Sequence, residues 1–203
     1  GVPGYSSLQC ARYLEDHGFA LEPDLVLLGV GANDATTWAG IPDHALADML
    51  ACSPPMAYSR TWCTLRLLTR LSAIRAQQDT ASERPRMTPE EYESMLRRCH
   101  ELCAQRDIPL LFLLWPTRAQ LAPETAPAQN MLGEYLVYQE TLRAVAASTQ
   151  RVVLDMRQAF AGAKPDEVLV DIIHPNAEGC RRVAEALRPF VLSLAPARRA
   201  PDA

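Results

Sequence analysis

The sequence predicts an α/β protein: a three-layer α/β/α sandwich around a mainly parallel sheet. Three observations predict it. Three short apolar runs are continuous rather than alternating, the pattern of strands covered on both faces. Helical patterns lie between and around those runs, which implies βαβ units with right-handed crossovers. The chain has 203 residues, a length that fits one domain.

The three runs are Asp24–Gly31, Pro109–Pro116 and Arg151–Met156. A first helix is expected from about Ser7 to His17, with Leu8, Ala11 and Leu14 on one side and Gly18 as its stop. A second begins at Thr88-Pro89-Glu90-Glu91. There Thr88 can cap, Pro89 suits the first helical position and Glu91 completes a capping box. Its apolar stripe is Tyr92, Met95, Leu96, Cys99, Leu102 and Cys103, at helical spacing. A third helix is expected over about 131–148, with Leu132, Tyr135, Leu136, Leu142 and Val145 inward. The last starts after Asn176 and carries Cys180, Val183, Ala184 and Leu187, with Pro189 bending it or ending its first part.

The organisation read from this is one domain over 1–194 and a frayed tail over 195–203. Residues 35–87 form a long insertion after the first run, with one helix expected near 59–77, and are a candidate cap over a site. Trp38, Met56, Tyr58 and Trp62 within it can line a pocket or form the insertion's own small core. Trp115, at the end of the second run, can wall a site or pack beneath it.

Composition excludes several classes. The net charge is −4 and no basic stripe is visible, which argues against nucleic acid as a partner. Arg66, Arg70 and Arg75 recur on one helical stretch and read as a solvated face. No apolar run approaches the ~20 residues that span a bilayer. The six cysteines form no CxxC pair and the four histidines are scattered, so no metal site is expected. Cys99 and Cys103, four apart, read as buried small apolar residues. If the protein is exported, Cys52 and Cys63 are candidates for a disulfide.

Three segments carry chemistry. Asp171-Ile-Ile-His-Pro-Asn176 follows the third run and precedes the last helix, so it lies on the carboxyl side of the sheet, where ligands gather in open α/β folds. His is the side chain best tuned to move protons near neutral pH. Asp171 can fold back to accept the Nδ1 proton of His174, fixing the tautomer and stabilising the imidazolium. Pro175 stiffens the loop and Asn176 can cap the helix. The plainer reading is a surface loop with an incidental His. Gly29-Val-Gly-Ala-Asn-Asp34 ends the first run: Gly31 permits a tight turn, Asn33 can aim an amide donor into the crevice, and Asp34 anchors the turn. Asn-Asp is also ordinary turn chemistry. Gly1-Val-Pro-Gly-Tyr-Ser-Ser7 leads into the first helix; a glycine there leaves its N–H approachable, and Ser6 or Ser7 caps the helix rather than serving as a nucleophile.

Taken together and in this order, the three segments resemble the GDSL family, also called SGNH hydrolases, over essentially the whole chain. The resemblance implies an oxyanion-hole N–H at Gly4, an oxyanion-hole amide on Asn33, a base at His174 and its orienter at Asp171. It implies hydrolysis of carboxylic esters by a Ser-His-Asp mechanism without cofactor or metal, on a small-molecule, lipid or glycan ester. It also implies that the family's first block, with the nucleophilic serine, lies upstream of residue 1, together with the first strands. The expected consequences are that this 203-residue chain is inactive alone and that strand 24–31 has an unpaired edge. A non-catalytic binding module on the same scaffold is the alternative. A flavodoxin-like nucleotide or flavin protein suits the βαβ pattern, but no phosphate-cradling G-x-x-x-x-G-K-[ST] is present.

Overall fold

A computed structural model of the chain describes residues 4–36, 42–44, 47, 61, 64, 69, 84–122 and 131–194. Most of the insertion, including Trp38, Cys52, Met56, Tyr58, Trp62, Cys63, Arg66, Arg70 and Arg75, lies outside the described residues, as does the tail 195–203.

The elements in chain order are α1 (Ser7–Asp16), a 3₁₀ turn (Gly18–Leu21), β1 (Val26–Leu28), α2 (Pro89–Ala104), β2 (Leu110–Leu114), α3 (Arg118–Leu121), α4 (Met131–Ser148), β3 (Val152–Asp155), α5 (Met156–Ala159), α6 (Pro165–Val168) and α7 (Ala177–Leu194). The described strands form one parallel sheet in the order β1-β2-β3. Val26 is opposite Leu110, and Leu114 is opposite Asp155.

The continuous apolar run of β2 has a direct cause. Side chains alternate across a strand, and here each face meets its own core. Leu110, Phe112 and Leu114 join Ala11, Leu14, Tyr92, Leu96, Cys99, Tyr135, Leu142 and Val145 on the side of α1, α2 and α4. Leu111 and Leu113 join Met156, Phe160, Val168 and Val183 on the side of α5, α6 and α7. All five residues of β2 are buried. The covering on both faces expected of all three runs holds fully only for β2. Leu27 of β1 and Val152 of β3 are exposed, because β1 and β3 are the flanking strands of the described sheet.

Local signals place the helices well. Glu91 N–H donates to Thr88 Oγ1 (3.3 Å) and Thr88 N–H to Glu91 Oε2 (2.8 Å), so the capping box at α2 is closed. The stripe of α2 is buried as its spacing implies, with Cys99 and Cys103 as free thiols in the core. Burial pushes the Cys99 thiol up to about 12, so it packs as a neutral group. Two faces differ from expectation. On α4, Leu136 points outward and Tyr138 inward, because Tyr138 stacks edge-on against Tyr92 and donates its hydroxyl to Met87 O. On α7, Cys180 and Ala184 are exposed, while Val183, Leu187 and Phe190 meet the core. Pro189 does not end α7, which runs on to Leu194. The short helices α5 and α6, between β3 and the His174 loop, are too brief for periodicity to reveal.

Candidate active site

The carboxyl ends of β1 and β2 and the loop that follows α6 meet at one edge of the sheet. β1 exits through Gly29-Val30-Gly31. Gly31 has φ +119°, and a Cβ there would approach Tyr92 Oη to 3.0 Å, so both conformation and space require glycine. Gly29 leaves room for the indole of Trp115, which packs against the second core.

The turn 31–34 is organised by Asp34, which is completely buried. Its Oδ1 accepts from Ser7 N–H (2.9 Å) and Ser7 Oγ (2.5 Å), and its Oδ2 accepts from Gly31 N–H (3.1 Å). Burial raises the Asp34 pKa, opposed by the hydrogen bonds from Ser7 and Gly31 and by the Arg86 charge. Asp34 therefore ties the start of α1 to the exit of β1, across 27 positions of sequence. Its neighbour Asn33 donates through Nδ2 to Tyr5 O (3.0 Å). An amide nitrogen carries two protons; this bond takes one and fixes the direction of the other.

Gly4 precedes Tyr5 and sits at φ +79°. No described residue lies within 4 Å of where a Cβ would stand, and its N–H donates to no described residue. Its carbonyl accepts from Arg86 Nη1 (2.8 Å). Arg86 is buried, bonded through Nε and Nη2 to the Asp43 carboxylate (3.0 and 2.9 Å) and through Nη2 to Gln9 Oε1 (3.1 Å). Sequence reading missed Arg86 and Asp43. No motif marks them, since they meet across the insertion.

Ser6 is the N-cap residue of α1, and its N–H donates to Gln9 Oε1 (3.0 Å). The Ser6 hydroxyl is buried without a hydrogen-bond partner among the described residues. The Ser7 hydroxyl is held by Asp34. Neither hydroxyl is hydrogen-bonded to His174.

The loop 170–174 is closed at its base by an antiparallel bridge between Leu169 and Pro175, and Val170 N–H donates to His174 O (2.8 Å). Within it, Asp171 Oδ1 accepts from Ile173 N–H (2.9 Å) and His174 N–H (2.8 Å), while Oδ2 lies 2.8 Å from His174 Nδ1. Those two main-chain donors, and then the imidazole, hold the Asp171 carboxyl down at about 2. Asp171 is thus ionised at neutral pH and accepts from Nδ1–H. The lone pair falls to Nε2, on a ring that is 74% exposed. Asn176 caps α7, with Oδ1 accepting from Gly179 N–H (3.0 Å). A Cβ on Gly179 would collide with Val168 O at 2.1 Å, so glycine lets α7 seat against α6.

Two pairs are therefore assembled, Asp171 with His174 and Asn33 with the Gly4–Tyr5 segment. They are connected through packing: Ile173 lies against the same core cluster as Val30 and Ala32. Among the described residues, no group of His, Cys, Asp and Glu is arranged to hold a metal ion.

The parallel sheet thus carries a carboxylate-oriented histidine and an amide-bearing turn at its carboxyl edge. Residues 1–182 match the GDSL-like lipase/acylhydrolase family, and the chain belongs to that family. The fold is similar to that of a lipase/acylhydrolase from Enterococcus faecalis, at 15% identity over 98% of this chain and 77% of that one, with a TM-score of 0.58. It is similar to an acetyl xylan esterase (16% identity, 94% of this chain and 78% of that one, TM-score 0.60). An α/β hydrolase from the metagenome of Lake Arreo, Spain, has 22% identity over 94% of this chain and 68% of that one, with a TM-score of 0.54. No curated protein matches the sequence. Family membership supports ester hydrolysis as the general activity.

Proposed function

We propose that the intact protein hydrolyses carboxylic esters by acyl transfer to a serine and then to water. The observation that carries this reading is the 2.8 Å bond between Asp171 Oδ2 and His174 Nδ1, which leaves Nε2 as the basic atom on an exposed ring. A serine hydroxyl attacks the ester carbonyl. His174 Nε2 takes its proton and later gives it to the leaving alkoxide, while Asp171 holds the ring and balances the imidazolium charge. The Gly4 N–H and the second Asn33 N–H receive the negative charge that develops on the carbonyl oxygen. In the second half-reaction His174 activates water against the acyl-enzyme, and the serine leaves with its proton restored.

Among the described residues no serine is bonded to the His174 ring, and Ser6 and Ser7 are enclosed. The reading therefore takes the nucleophilic serine to lie outside the described residues. Substrates in this reading are small-molecule, lipid or glycan esters, with no cofactor. The similarity to an acetyl xylan esterase makes acetylated xylan the first glycan ester to try beside p-nitrophenyl acetate.

The test is His174→Ala in the full-length protein, assayed on a short p-nitrophenyl ester. A fall in kcat of about 10⁴-fold is expected, since triad members act as a unit. Activity within threefold of the parent refutes the assignment.

A further inference from the structure

We infer that Arg118, at the exit of β2, is a positioning residue for the loop that carries Asp171 and His174. The inference rests on reading those two residues as the acid–base pair.

The loop has few attachments of its own. Its base is the Leu169–Pro175 bridge, and Ile173 is its one side chain packed on the core; Val170 and Ile172 are exposed. Its outer turn is held from the far side of the site. Arg118 N–H donates to Ile172 O (2.7 Å), Arg118 Nε donates to Asp171 O (3.1 Å), and Arg118 Nη1 pairs with the Asp166 carboxylate on α6. One residue thus grips the two peptide oxygens at the tip of the loop and the helix just before it. The guanidinium fork suits this task because its donors diverge in one rigid plane, which an ammonium cannot copy.

Arg118 is itself held. Thr117 caps α3, with Gln120 N–H donating to Thr117 Oγ1 (3.3 Å) and Thr117 N–H to Gln120 Oε1 (2.9 Å). Gln120 and Gln139 exchange reciprocal amide bonds (2.7 and 3.1 Å), and Gln139 Nε2 and Tyr135 Oη both donate to Trp115 O (2.7 and 3.0 Å). The chain leaving β2 is thereby anchored to α4, and Arg118 extends from that anchor to the loop. It contacts the main chain of Asp171 rather than its carboxylate, so its effect is on geometry. With the clamp gone, the two N–H donors that face Asp171 Oδ1 lose their fixed direction.

Two measurements test this. The first follows the ¹³C carboxyl resonance of Asp171 by NMR titration in the 203-residue chain and needs no catalysis. In Arg118→Ala the midpoint should move upward from about 2 by about one pH unit, as the main-chain donors loosen. Asp166→Ala, which frees the other end of the guanidinium, should shift it the same way by less. Arg181→Ala, which removes a surface cation paired with Glu178 and Glu185 on α7, should not shift it. The second is kinetic, in the full-length protein. Arg118→Ala should lower kcat about 10–100-fold with KM within about twofold, the cost of a misplaced catalytic group. Arg118→Lys should recover only part of the loss. An unchanged Asp171 midpoint in both Arg118→Ala and Asp166→Ala overturns the inference, and if Arg118→Ala fails to fold, Asp166→Ala decides alone. If the midpoint moves but His174→Ala leaves hydrolysis intact, the catalytic reading falls while the clamp stands.

Discussion

Two aspartates stand at the same edge of the sheet, each followed or preceded by a residue assigned to chemistry, and they are held by opposite means. Asp34 is fully buried and takes all three of its hydrogen bonds from Ser7 and Gly31, two segments far apart in sequence. Asp171 is largely exposed and takes its bonds from residues two and three places along its own loop. Their pKa values move apart accordingly. Burial raises Asp34, while main-chain donors hold Asp171 down at about 2. The difference teaches that a carboxylate at this edge is held either by burial between distant segments or by the main-chain donors of its own loop. Asp34 fixes where the Asn33 turn sits relative to α1. Asp171 stays ionised, in water, ready to steer an imidazole.

Substitutions should separate the two regions. The largest effect after His174→Ala falls on the amide side. Asn33→Ala removes a preorganised donor and should lower kcat on a p-nitrophenyl ester about 10²–10³-fold, while leaving the melting temperature within about 2 °C. A kcat within threefold of the parent would take the oxyanion role from Asn33 and leave it the bond to Tyr5 alone.

Asp34→Ala should show the converse. It strands the buried donors of Ser7 and Gly31 at a cost of about 2–4 kcal/mol, read as a lowering of Tm by roughly 6–12 °C. Asp171→Ala, on the exposed loop, should barely move Tm. If the two variants lower Tm equally, the contrast between the two environments is broken.

The smallest effect is on the pH dependence of stability, and its sign differs between the two carboxylates. Asp171 has a folded pKa of about 2, below the ordinary value near 3.9. Its contribution is present above pH ~4 and is lost as pH falls toward ~2, because the unfolded chain binds the proton first. Asp34 has a raised folded pKa, so its contribution is complete below the ordinary carboxylate value and declines as pH rises through the folded one. Urea unfolding from pH 2 to 7 should show the difference between wild type and Asp171→Asn shrinking toward acid. For Asp34→Asn the wild type should lose ground as pH rises. Parallel curves for the two variants would contradict the opposed environments.

Much of the site was legible because its parts are local. The Asp171–His174 bond closes within three positions, and the Thr88 capping box and the Asn176 cap likewise span three, so residue identity and spacing suffice. The position of Asp34 as an anchor is legible from the turn, but nothing local tells which of the two candidate caps, Ser6 or Ser7, is its partner. The tie from Asp34 to Ser7 spans 27 positions, Arg86 to Gly4 spans 82 and Arg118 to Asp171 spans 53. No periodicity or motif carries such pairings. The inward turn of Tyr138 and the outward turn of Leu136 were missed for a related reason, since which apolar residue of α4 faces inward depends on what α2 offers across the interface.

The amino-acid order by itself determined the helical stripe of α2, the apolar run of β2 and the residue types at the sheet's carboxyl edge, because these depend on backbone period and on neighbours a few residues away. Which strands flank the described sheet, which aspartate is buried and what grips the His174 loop were decided only in three dimensions. A buried charge or a guanidinium clamp gains its energy from partners that are distant along the chain, and those partners meet only once the layers have packed.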